Sequence, residues 1–477
     1  MIFLKLAFLA LSAALLWVYS LLPSRRANRR SAVNIPTAAN VVAFFHPFCD
    51  CGGGGERVLW TAVRAMLLEW PDMVCVIYTW DKAGTKAEVL AIVKTQFDID
   101  IDPKGVEFVR LRTWRWLEAS GYKRLTLILQ SLGAVLTATE ALWLFVPDVF
   151  IDTIGYAFTY PLAKLIFGCK VATYVHYPTI SSDMLSKVKK RESGFNNAGA
   201  IANSAWLSEA KLWYYRVFSV AYGIVGASAD VIMVNSSWTR GHIDEIWKAP
   251  RRTRIVYPPC DTAGLEQIPL EDREQMIVSV AQFRPEKAHA LQVEAFHLLL
   301  ERHPEFKSGP SRARLVLIGG TRNEGDRSRV SVLKQQIVSL ELQDHVEIIE
   351  NAHHDVLRDN YRRASIGLHT MWNEHFGISI IEYMAAGLIP VANNSGGPKL
   401  DIVLPYNDEQ TGFLATTKEE FAESMGEALG LSPTRQLRMR QTARDSVSDK
   451  FSEHTFGVRF IDSLRATMDQ VALRRRG

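Results

Sequence analysis

A chain of 477 residues has room for two domains of ordinary size plus an anchor. Its 55 lysines and arginines against 51 aspartates and glutamates leave a net charge of +4, too small for a dedicated nucleic-acid binder, and its composition is that of a globular chain, not a disordered one. The five cysteines, at 49, 51, 75, 169 and 260, form no CxxC pair and no zinc-like spacing, so a reduced, cytosolic catalytic portion is expected.

Residues 2–22 are almost wholly apolar, and 21 helical residues would span about 31 Å. The run ends in Leu22-Pro23-Ser24-Arg25 with no small-residue cleavage site, which reads as an uncleaved transmembrane anchor. Arg25, Arg26, Arg29 and Arg30 then keep the following chain cytosolic. Residues 23–39 form a basic linker. From there strand and helix patterns alternate, the signature of a doubly wound α/β architecture. Strands are expected at 41–45, 74–79, 106–111, 149–152, 171–175 and 231–234, with helices such as 57–69 and 122–144 between them. The pattern restarts at Met276 and continues through 314–319, 346–349, 365–368 and 389–392. Two Rossmann-like domains follow, 40–270 and 271–450, with ligand at the carboxyl ends of their strands; a helix and basic tail occupy 451–477. Of two further apolar stretches, 125–146 contains Gln130 and Glu140 and reads as a helix buried on the first domain. The other, 212–229, reads equally as a core helix or as one lying in a membrane interface.

The chemistry concentrates at strand ends. The strand from Met276 runs into Arg284-Pro285-Glu286-Lys287, two cations able to clamp a diphosphate. Glu374 sits on the loop after the strand 365–368, and Glu382 lies inside the next helix. Between them the N–H groups of Phe376, Gly377, Ile378 and Ser379 form a helix N-terminus suited to phosphate. Carboxylates for sugar hydroxyls beside a phosphate site suit a nucleotide-sugar. Gly52 to Gly55 follow the first strand, where glycines permit close backbone approach, and their spacing is not the dinucleotide fingerprint. Gly319 and Gly320 follow a strand of the second domain. His46 and His176 each end a strand. Asp98, Asp100 and Asp102 imitate a metal-binding DxD motif, but in a loop far in topology from the second domain, so no catalytic metal is expected.

Strand-Arg-x-x-Lys followed by Glu-x7-Glu, with His375-Phe376-Gly377 inside it, resembles the retaining glycosyltransferases of family 4, which have the GT-B fold. The segments 46–60, 174–178 and 396–401 narrow the likeness to the eukaryotic α-1,2-mannosyltransferases of dolichol-linked oligosaccharide assembly. That resemblance implies a fold with two domains facing a central cleft, the first taking the acceptor and the second the donor. It implies GDP-mannose as donor, a dolichol-diphosphate-linked oligosaccharide as acceptor, and work at the cytosolic face of the endoplasmic reticulum membrane beside other mannosyltransferases. Arg284, Lys287, Glu374 and His176 would be catalytic. Gly53, Gly54, Gly319, Gly320, Phe376, Gly377, Ile378, Ser379 and Glu382 would bind the donor, Glu382 at the ribose. Alternatives are another lipid-linked transferase of the same fold, adding mannose at another position or N-acetylglucosamine, or a non-catalytic membrane-tethered partner. Two sequons, at Asn235 and Asn393, are expected at strand ends and without glycan.

Overall fold

The computed structural model describes residues 35, 40–122, 125–180 and 205–476. The expected anchor at 2–22, most of the 23–39 linker and the basic run at 187–191 lie outside the described residues. The chain divides into two compact units. The first takes the residues up to Asn235, then Thr239–Val256 and Phe456–Gly477; the second takes Ser236–Trp238 and Tyr257–Thr455.

The first unit is built on a seven-stranded parallel sheet. Its strands are β1 (Val41–Phe45), β2 (Val74–Trp80), β3 (Val106–Leu111), β4 (Val149–Asp152), β5 (Lys170–Val175), β6 (Val231–Val234) and β7 (Thr253–Ile255). They run in the order β3-β2-β1-β4-β5-β6-β7. Alternation along β1 explains why both faces must be covered: Val41, Ala43 and Phe45 enter one core, Val42 and Phe44 the other. The first core is roofed by the helices Thr126–Leu144 and Ala205–Gly226, and the second by Gly54–Glu69 and Lys86–Phe97. Phe456, Phe460, Leu464 and Met468 of the last helix, Glu453–Arg476, complete that second core.

The second unit holds a six-stranded parallel sheet, in the order β10-β9-β8-β11-β12-β13. These strands are β8 (Met276–Val280), β9 (Arg314–Gly319), β10 (Val346–Glu350), β11 (Ile366–His369), β12 (Ile389–Asn393) and β13 (Phe413–Ala415). In each sheet the strand order reverses at one place, between β1 and β4 in the first and between β8 and β11 in the second. Loops leaving those pairs diverge, and a ligand can lodge between them.

The boundary falls at Val256–Tyr257, not near 270, because Tyr257 stacks on Phe376 at 5.8 Å and Cys260 bridges to Ser452. Ser236–Trp238 joins the second unit, where buried Asp401 accepts bonds from Ser237 N at 2.9 Å, Ser237 Oγ at 2.5 Å and Tyr257 Oη at 2.9 Å. The helix at 126–144 is buried on one face only; its outer face is exposed. By length and composition it could cross a membrane, yet it packs against the first sheet.

Candidate functional site

At the reversal in the second sheet, β8 leads into the turn Pro285–Lys287, and β11 into the loop that carries Glu374. Because β8 and β11 are paired neighbours, two residues 87 positions apart in sequence meet. Lys287 Nζ donates to Glu374 Oε2 at 2.6 Å and lies 3.2 Å from Met371 Sδ. His369 Nε2, on the last residue of β11, stands 3.2 Å from the same oxygen, though off hydrogen-bond geometry. Burial opposes charge on Glu374, but the His369 contact and the Lys287 ammonium outweigh it and hold the carboxyl well below its usual range. Glu374 is therefore a largely covered, ionised carboxylate with a cation fixed beside it. Arg284 is exposed and makes no ion pair among the described residues; its charge is felt at Asp326 instead.

The helix after Glu374 begins at Ile378, one residue past Gly377, which caps it with φ of 119°. A residue with a Cβ is strained in that conformation, so glycine is needed here. Ile380 N is the first to bond back, to Gly377 O at 3.0 Å, which leaves Ile378 and Ser379 as first-turn donors. The Phe376 ring is core, packed on Tyr257 and Phe451, so only its backbone is available to a ligand. Glu382 is half-buried and accepts from Tyr361 Oη at 3.0 Å.

Three of four paired glycines have structural work of their own. A Cβ on Gly396 would meet Glu374 O, and one on Gly397 would meet Phe376 O, so the pair lets this segment press against the Glu374 loop. Gly397 N donates to Glu374 O at 2.8 Å. Gly319 is demanded by the close approach of Ala281 O, while a Cβ on Gly320 would meet nothing nearer than Asn351 Oδ1 at 3.7 Å.

In the first unit the reversal gathers a second cluster. His46 follows β1, Thr153 follows β4 and His176 follows β5. His46 Nδ1 is 2.7 Å from Thr153 Oγ1, and its Nε2 is 3.2 Å from Glu56 Oε1. His176 Nε2 is 3.1 Å from Thr153 O. A carbonyl only accepts, so Nε2 carries the proton and Nδ1 of His176 is the acceptor nitrogen. Burial, with His46 alongside, pulls His176 down to about 4, so the ring is neutral near pH 7. Gly55 faces both rings: a Cβ there would stand 3.7 Å from His176 Nε2 and 4.0 Å from His46 Cε1. The structure thus brings the glycine loop and the two histidines together. The N–H of Gly53, however, is given to Glu56 Oε2 at 2.5 Å.

Glu56 and Asp152 were not evident from sequence. Glu56 ties the glycine loop to His46, a contact that only a helix-capping glutamate pattern after Gly53 hints at. Buried Asp152 accepts from Ile154 N at 3.0 Å, Gly155 N at 3.1 Å and Tyr160 Oη at 2.7 Å, fixing the loop that presents Thr153. The acidic run at 98–102 is a surface turn in which Lys94 Nζ holds Asp98 at 2.7 Å and Asp100 at 2.8 Å.

Solved structures share this fold. Anabaena Alr3699/HepE in complex with UDP and glucose matches with a TM-score of 0.58 at 15% identity, over 89% of this chain and 99% of that one. A sucrose-phosphate synthase from Thermosynechococcus elongatus gives 0.62 at 15% identity, over 90% and 100%. Residues 264–446 match the group 1 glycosyl transferases, so the molecule is a glycosyltransferase with a GT-B-like fold.

Residues 39–247 match the ALG11 mannosyltransferase N-terminus. A Mus musculus relative, named GDP-Man:Man(3)GlcNAc(2)-PP-Dol alpha-1,2-mannosyltransferase, is 49% identical over 446 residues, 91% of this chain and 90% of the relative. A Xenopus laevis protein of the same name is 50% identical over 429 residues, 89% and 87%. The chain belongs to the ALG11 mannosyltransferase family.

Proposed function

We propose that this chain transfers mannose from GDP-mannose, in α-1,2 linkage and with retention, onto dolichol-diphosphate-linked Man3GlcNAc2. The observation that carries the reading is the Lys287–Glu374 pair at the strand-order reversal, in a chain about half identical to relatives of that named activity. Lys287, with Arg284 and the N–H groups of Ile378 and Ser379, takes up the negative charge that grows on the departing diphosphate. Among the described residues both polar side-chain contacts of Glu374 fall on Oε2, so Oε1 is the atom to accept mannose hydroxyls. Nδ1 of His176 accepts a further hydroxyl of the transferred sugar. Glu382 holds the ribose, and Gly54, Gly319 and Gly320 allow close approach of backbone to the donor. The leaving phosphate itself accepts the proton of the acceptor hydroxyl, attacking from the same face. Fixed cations replace a divalent metal.

The apolar residues 2–22 anchor the chain in the endoplasmic reticulum membrane, with the catalytic units cytosolic. Trp213, Val217, Val220 and Ile224 lie exposed on one stripe of the helix Ala205–Gly226, which supports placing that stripe in the membrane interface. The purified protein, given labelled GDP-mannose and a Man3GlcNAc2 lipid-linked acceptor, should form a product from which an α-1,2-specific mannosidase releases the label. Transfer from UDP-N-acetylglucosamine instead, or mannosidase resistance, favours another lipid-linked transferase; no transfer from any sugar nucleotide favours a non-catalytic partner.

A further inference from the structure

The helix Thr126–Leu144 is apolar on two opposite faces, and among the described residues one of them is buried and the other exposed. Gly133, Ala134, Thr137, Ala138, Ala141 and Leu142 are buried, Ala138, Ala141 and Leu142 in the core under the sheet and Gly133 and Thr137 against the 113–117 turn. Diametrically opposite, at helical spacing, Ile128, Leu129, Leu132, Leu136 and Trp143 are exposed, Leu132 to 57% and Leu136 to 55%. A helix that is apolar all round is ordinarily covered all round.

The polar groups on this helix point the same way. Thr126, Ser131 and Thr139 bond the carbonyls of Tyr122, Leu127 and Val135, each four residues back. Gln130 donates to Leu117 O at 2.7 Å. Glu140, the one charged residue of the helix, accepts from Arg112 N, Thr113 N and Thr113 Oγ1. The hydroxyls, the carboxylate and an N–H of the amide all bond within the protein, which eases the removal of this surface from water.

We propose that this outer stripe docks on a phospholipid bilayer, with the helix lying flat in the interface. Four observations select a bilayer as the occupant. The helix shares its layer, on the same sheet face, with Ala205–Gly226, so the two outer stripes point the same way and continue one surface. Phe158, against which both helices pack, is 5.4 Å from Phe218, and Gly133 lets the backbone of Trp116 press on the helix. Tryptophans 116, 143 and 213 are exposed along this surface, and indole favours the headgroup level. Arg112 and Arg115 are exposed in the turn before the helix, where anionic headgroups would meet them. Relatives of about half identity carry a name with a PP-Dol acceptor, so the substrate class is lipid-linked and a docked surface shortens its path to the site. The proposal rests on that reading of the acceptor.

The test uses the full chain reconstituted in phosphatidylcholine–phosphatidylserine vesicles whose acyl chains carry a diazirine. Irradiation should place lipid adducts on Leu132 and Leu136. Adducts confined to residues 2–22 and 205–226 would overturn the proposal, as would protein–protein crosslinks at Leu132 in their place, which would assign the stripe to a second copy. A second arm compares Leu132→Glu/Leu136→Glu with the parent at equal thermal stability. Turnover of a bilayer-embedded acceptor should fall about tenfold, while turnover of a detergent-dispersed short-chain acceptor stays within about twofold. Equal loss on both acceptors, or on neither, overturns the docking role. If the parent turns over neither acceptor, the proposed activity fails, and the adduct map still decides the docking surface.

Discussion

Replacing Lys287 with methionine keeps the length of the side chain and removes its charge. The ammonium's contact to the departing diphosphate is then lost, an interaction of about 3–4 kcal/mol when realised in the transition state, so kcat should fall by about two to three orders of magnitude. A second effect follows from the geometry. Glu374, with a side chain only 15% exposed, loses the cation 2.6 Å away and keeps only His369 at 3.2 Å. With less to offset burial, the carboxyl moves up from its depressed position. In the parent Glu374 stays ionised, and able to accept sugar hydroxyls, well below neutral pH. In Lys287→Met that ionised fraction is lost as pH falls through the raised value, so the deficit should deepen toward acid. Initial rates with labelled GDP-mannose and a detergent-dispersed acceptor, between about pH 5 and 8, read both effects. A kcat within about threefold of the parent, with an unchanged pH profile, would remove Lys287 from the chemistry and leave it a structural partner of Glu374.

Burial lowers His176 to about 4 from 6.5, so the folded state binds this proton less readily than the unfolded one. The folded protein should lose about 3 kcal/mol as pH falls from about 6.5 to about 4, a slope that denaturant melts of His176→Gln should lack in part. Gly397→Ala places a methyl against Phe376 O and so pushes the Glu374 loop; kcat should drop at least tenfold with the far-UV spectrum kept, and normal turnover would show that the loop yields freely. Exhaustive chelation should leave activity intact, and complete loss restored by Mn²⁺ or Mg²⁺ would point to a metal. Proteolysis of sealed microsomes should digest both units from outside; protection of the units would reverse the cytosolic placement.

Strands such as Val41–Phe45 and Arg314–Gly319 are legible in sequence because a parallel strand buried on both faces is a short apolar run between turn residues. That Lys287 and Glu374 each follow a strand's carboxyl end is legible for the same reason; their meeting is not, since it needs β8 and β11 paired. β7 and β13 were missed: edge strands of three residues carry no period. Gly396 and Gly397 stood out as a motif, yet their reason, two carbonyls pressed against them, exists only once the chain is folded. The helix at 126–144 reads as buried from its apolar content, but content does not say how many faces have partners. Asn235 and Asn393 are 6% and 3% exposed, and each is bonded, Asn235 to Thr239 Oγ1 and Asn393 to Ser395 Oγ. Burial of both asparagines opposes glycosylation on either side of a membrane, so the expectation of no glycan does not depend on a cytosolic placement.

The last helix has a consequence for how the protein is made. Phe456, Phe460, Leu464 and Met468 fill the same core as Val42 and Phe44, so the first unit is closed by residues synthesised after the whole of the second. A chain emerging from the ribosome ordinarily folds its amino-terminal domain first. Here the second unit, contiguous from Tyr257 to Thr455 but for three residues, can mature while the first still waits with an open apolar groove. The unit whose strands are made first is the unit that finishes late, and a premature stop before Phe456 would strike its core.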